Sequence, residues 1–170
     1  MSKKDDRVIC FTGLKSGVYK YDFLLDDAFF EAFKNEEIKG GKVNFDVKME
    51  RTEHVLLFTF SFDGEVTTTC DRCLEEMTVR VSGEEHLNVR FSDTEESDDE
   101  ETAILPESAN EIDLTPWMYE YVAVRMPLQH AHPEGDCNPE MVKYIAVENE
   151  EQRVESGETD PRWDALKELK

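Results

Sequence analysis

The sequence predicts an α+β fold: a mainly antiparallel β-sheet with two or three helices, a candidate zinc clasp, and an acidic disordered loop and tail. Three observations lead there. Residues 43–91 alternate apolar and polar side chains in short runs, the period-2 signature of half-buried strands. Two segments, near 27–36 and 116–125, instead repeat apolar residues at helical spacing. Finally, Cys70-Asp71-Arg72-Cys73 is answered far downstream by His130, His132 and Cys137, together a soft-ligand set for one tetrahedral ion.

Taken in order, residues 8–25 carry two β-rich runs, Val8-Ile9-Cys10-Phe11 and Val18 to Leu25, around Gly13 and Gly17. They read as two strands or a hairpin, with Cys10 a small buried apolar residue. Asp26-Asp27 favours a helix start through the dipole, and Phe29, Phe30 and Phe33 share a face. Gly40-Gly41 is expected to end that helix. Val43, Phe45, Val47 and Met49 then alternate, followed by Val55 to Phe62 and the turn dipeptide Asp63-Gly64. Further alternation at Met77, Val79, Val81 and at Leu87, Val89, Phe91 completes a meander, with the CxxC in a turn between two strands.

Residues 92–101 hold seven acids in ten positions, a run that repels itself and buries nothing. Disorder is expected through about Asn110, apart from the apolar island Ile104-Leu105-Pro106. A second helix should start with Thr115 as cap and Pro116 at its first position, carry Trp117, Tyr121 and Val124 on one face with Met118 and Val122 beside them, and stop at Pro127. The expected organisation is one domain over 1–147, including the disordered loop 92–111. An acidic tail, 148–170, follows, with Trp163, Leu166 and Leu169 on one face of a short amphipathic helix after Asp160-Pro161.

The composition restricts the partners. Of 170 residues, 40 are acidic and 19 are Lys or Arg, so the formal net charge is −21. Gripping bare nucleic acid needs clustered cations, and an anionic membrane is disfavoured in the same way. A basic partner is the complement. No apolar run follows Lys3-Lys4 and none is long enough to span a bilayer, so a cytoplasmic protein with reduced thiols is expected.

The chemistry therefore centres on the cysteines. Cys70, Cys73, His132 and Cys137 are the expected ligands of a structural Zn2+, with His130 the competing donor. Four protein ligands would leave no open catalytic position. Leu74 stands where a glycine often follows the second cysteine of such a knuckle. An alternative is a CxxC dithiol redox protein. That site normally sits at a helix N-terminus after a parallel strand, and Glu75 and Glu76 are expected to raise the thiol pKa here. A third reading, direct RNA binding, requires Lys15, Lys20, Lys39, Lys42 and Lys48 to gather on one face. No nucleophile elbow, phosphate loop, dinucleotide fingerprint or HExxH is present, and His54 and His86 have no evident partner in sequence. The chain is not expected to be an enzyme or to take a small-molecule substrate.

Several of these segments together resemble the bacterial YceD family. They are Cys70-Asp71-Arg72-Cys73-Leu74-Glu75 within a β meander, Ile112-Asp113-Leu114 before a helix ending at Pro127, the His/Cys segment, and Asp160-Pro161-Arg162-Trp163 through Leu169. Members are described as large ribosomal RNA subunit accumulation proteins, linked to processing or stability of that RNA. The resemblance implies a ribosome biogenesis role, with large-subunit ribosomal RNA or a basic ribosomal protein as partner. Many members carry a second cysteine pair where this chain has His130, His132 and Cys137.

Overall fold

The structure, a computed structural model, describes residues 7–93 and 101–144. The elements run β1 (Val8–Cys10), β2 (Gly17–Leu25), α1 (Asp27–Phe33), β3 (Gly40–Arg51), β4 (Val55–Thr69), β5 (Glu76–Phe91), β6 (Thr102–Leu105), β7 (Glu111–Asp113) and α2 (Thr115–Val124). Residues 139–144 form a further helix, α3. The fold is α+β with a mainly antiparallel sheet, as predicted. Where one domain is expected over 1–147, the described residues divide into two compact units. The larger is drawn from 7–68 and 78–128, the smaller from 69–77 and 129–144. The tail 148–170 and most of the acidic run lie outside the described residues.

In the larger unit five strands follow the order β2-β3-β4-β5-β6, and β1 pairs with β7 in a separate two-stranded sheet. The two N-terminal strands are therefore not a hairpin with each other. The β3–β4 register sets Phe45 opposite Phe62, Val47 opposite Phe60 and Met49 opposite Phe58. All six side chains are buried, and Phe45 and Phe62 stack with ring centres 4.8 Å apart. Because the side-chain period is 2, the intervening Asp46, Lys48, Thr59 and Ser61 turn away from that core. Phe29 and Phe30 of α1 and Met118 and Val122 of α2 complete one apolar cluster with this face. Each buried Phe or Met contributes about 1.5–3 kcal/mol relative to exposure.

Several local expectations are corrected. Asp63-Gly64 makes no turn, since β4 runs through it with Gly64 opposite Val43. A Cβ on Gly64 would lie 2.3 Å from the Lys42 carbonyl oxygen and 2.5 Å from the Val43 Cα. The glycine marks a close backbone approach. Helix α1 ends at Phe33 with Lys34 in the left-handed region (φ 52°), while Gly40-Gly41 opens β3 instead. Asp26 caps α1, its Oδ1 accepting from the Phe29 N–H at 3.1 Å. Thr115 does not cap α2; the Asp113 carboxylate accepts its N–H at 2.9 Å, a charged acceptor already in place. Met118 and Val122, not Trp117, Tyr121 and Val124, form the fully buried face of α2, and Val124 is 73% exposed.

Two further corrections concern disorder and Cys10. Residues 102–105, inside the predicted disordered loop, pair with β5 in parallel register from Asn88↔Thr102 to Phe91↔Leu105. The apolar island is enough to add a strand. Cys10 is exposed, with Ile9 and Phe11 buried on either side of it in alternation. Its thiol donates to Glu111 Oε2 at 3.4 Å. Among the described residues no helix is long and apolar enough to cross a membrane.

Candidate metal centre

The smaller unit is built from two segments. The first is the turn Cys70–Glu75, closed by Leu74 N–H to the Cys70 carbonyl at 2.9 Å and Cys70 N–H to the Glu75 carbonyl at 2.8 Å. Such a turn needs a left-handed residue after its second cysteine, and Leu74 adopts it (φ 61°). The second segment docks through paired bonds: Asp71 N–H to the His130 carbonyl at 2.6 Å, and His130 N–H to Asp71 Oδ2 at 2.7 Å. Arg72 donates to the His132 carbonyl. Gly135 (φ 96°) turns the chain toward Cys137, and the Asp136 N–H reaches the Pro133 carbonyl at 3.1 Å.

Asn138 then anchors both segments. Its Oδ1 accepts from the Glu140 N–H at 3.0 Å, capping α3 with Pro139 at the first helical position. Its Nδ2 donates to Glu75 Oε1 at 2.7 Å. Asp71, Arg72, Glu75 and Asn138 were not singled out from sequence as supporting residues. Asn138-Pro139, a helix-start dipeptide directly after Cys137, is the signal that could have found one of them.

The donor atoms of Cys70, Cys73, His132 and Cys137 all lie within 4.8 Å of one another. Cys70 Sγ is 3.9 Å from Cys137 Sγ; His132 Nδ1 is 3.4 Å from Cys73 Sγ and 4.0 Å from Cys137 Sγ. A tetrahedron with ordinary zinc–sulfur and zinc–nitrogen bond lengths has edges of about 3.5–3.8 Å. Both the donor set and the spacing therefore suit a tetrahedral ion. All three thiols are buried, and Met77, Ala131 and Met141 pack around them. His130, the competing donor, contributes backbone bonds and is not among the four. Its Nε2 is buried with no hydrogen-bond partner among the described residues.

Local electrostatics favour a thiolate at Cys70. Burial pushes this thiol up, but the N–H groups of Cys73, His132 and Arg72 and the Cys73 side chain together outweigh burial and lower it to about 5. The expectation that Glu75 and Glu76 would raise it is therefore reversed by backbone dipoles aimed at the sulfur. A hydrogen bond with Cys70 raises His132, and burial raises Cys137. His86, which had no evident partner in sequence, lies 3.8 Å from Glu84 in the larger unit.

A family model described as large ribosomal RNA subunit accumulation protein YceD matches residues 58–170. The chain belongs to this family. No curated protein and no solved structure matches it. Within the YceD match lie β4 from Phe58 onward, the CxxC turn, the acidic run, α2 and the segment bearing His132 and Cys137. The family's description ties YceD proteins to accumulation of large-subunit ribosomal RNA.

Proposed function

We propose that this chain is a non-enzymatic factor supporting large-subunit ribosomal RNA accumulation by holding a basic ribosomal protein in the cytoplasm. Its smaller unit would be tied by a structural Zn2+ on Cys70, Cys73, His132 and Cys137. The observation that carries the reading is the YceD match over 58–170; the net charge of −21 supplies the class of partner. The zinc would screen three thiolates from one another and fix two distant segments, while Asp71, Arg72 and Asn138 orient the loops that carry the ligands.

The cation distribution favours a protein partner over bare RNA. Lys20 neighbours Asp22, Lys42 lies opposite Glu65, and Lys48 bonds Glu50 at 2.5 Å. Arg80 pairs with Asp63 at 2.9 Å and Arg125 with Glu85 at 2.6 Å. These cations are interleaved with acids.

The test is a pull-down of ribosomal proteins at low and at ~0.5 M salt, where the Debye length is about 4–5 Å. The comparison variant replaces Glu95, Glu96, Asp98, Asp99 and Glu100 by their amides at equal length. Deletion is unsuitable, because the chain must return from Phe91 to Thr102 to pair β6 in parallel. Salt-sensitive capture of basic ribosomal proteins, weakened in the variant, is expected. Equal capture by both chains refutes the role of that segment. The dithiol redox reading draws on the lowered Cys70 thiol. Thiol titration separates the two: protection released by a chelator marks zinc, and free reactivity in metal-replete protein marks redox.

A further inference from the structure

Strand β2 is one edge of the five-stranded sheet. All nine residues, Gly17–Leu25, pair with β3 on one side. Among the described residues their other side makes no backbone hydrogen bond. Proteins usually blunt such an edge with charged side chains, lysine above all, with proline or with a bulge. β2 has no proline, and its lysine is followed on the same face by Asp22.

The strand is self-complementary about Tyr21. Run antiparallel against itself with the two-fold axis at that residue, Lys20 meets Asp22, Tyr19 meets Phe23 and Val18 meets Leu24. Val18 (56% exposed) and Leu24 (48%) are large apolar groups left in water, and Tyr19, Tyr21 and Phe23 are half-buried on the opposite face. The in-chain register points the same way. Lys20 stands opposite Lys48 and Asp22 opposite Asp46, two like-charge pairs across β2–β3. A second β2 would bring an acid beside the lysine column and a lysine beside the acid column.

We propose that β2 pairs antiparallel with β2 of a second copy of this chain, centred on Tyr21, joining two five-stranded sheets into one. The edge lies outside the residues 58–170 matched by the family model, and the proposal does not depend on the ribosomal reading.

Sedimentation equilibrium of the full chain at ~0.15 M salt, where the Debye length is about 8 Å, tests it. The wild-type chain is expected to dimerise. Lys20→Asp and Asp22→Lys alone should each weaken the dimer about tenfold or more, because every cross-dimer ion pair becomes a like-charge pair. Each reversal also places opposite charges across β2–β3, so the fold itself is not opposed; circular dichroism checks this. Mixing the two single variants should form the heterodimer, and the double reversal should restore the homodimer. A monomeric wild-type chain overturns the proposal, as does a dimer indifferent to both reversals. A monomer whose β2 amides resist hydrogen exchange also overturns it, and indicates that the chain's own segment covers the edge.

Discussion

At the scale of single residues, Leu74 and the cysteines make opposite demands on substitution. Leu74 holds a left-handed backbone with its side chain 65% exposed, so little burial offsets the strain. Leu74→Gly should stabilise the folded chain by about 0.5–1 kcal/mol in urea denaturation, because the strain relieved exceeds the added freedom of the unfolded glycine. Cys70→Ser or Cys137→Ser should remove the metal: mass spectrometry should find one zinc in the native chain and none in either variant. Metal-free but fully folded native protein would refute the site. The members of the Cys/His cluster were legible in sequence because their chemistry is carried by residue type. The sequence sets His132 ahead of His130, which it leaves as a competitor, and what it does not supply is the reason: the Asp71 bonds to His130 fix the second segment so that His132 joins the cluster.

At the scale of elements, Gly64 permits the close backbone approach of β3 and β4. Gly64→Ala would drive a methyl into the β3 backbone, and a loss of about 3 kcal/mol is expected in denaturant unfolding. The strands were readable because alternation at Val43 to Met49 and Leu56 to Phe62 reports a sheet with one buried face. Asp63-Gly64 misled because a glycine required by close approach and a glycine required by a turn look identical in sequence. β6 was missed for a related reason. Its four residues are too few to show a period, and its pairing is set by β5. Spacing did not single out Met118 and Val122 as the buried side of α2, because apolar residues surround the helix.

At the scale of the whole molecule, charge and metal set the conditions under which the protein should work. Zinc takes thiolates, and burial favours the protonated form of Cys137 in the metal-free chain. Binding should therefore release protons, and affinity should fall as pH is lowered from 8 to 6, about tenfold per pH unit for each proton released. A competition titration with a chromophoric chelator at the two pH values measures this; an unchanged affinity would refute thiolate ligation. Chelation should loosen the smaller unit first, read as faster amide exchange at Asp71 and His130. A metal held by these four residues would also have a consequence for the order of synthesis. His132 follows Cys73 by 59 positions, so the first pair of candidate ligands is made well before the second. At ordinary rates of translation that interval is roughly 3–12 s, during which the two thiols would hold only half a coordination shell and would be open to oxidation or a wrong ion.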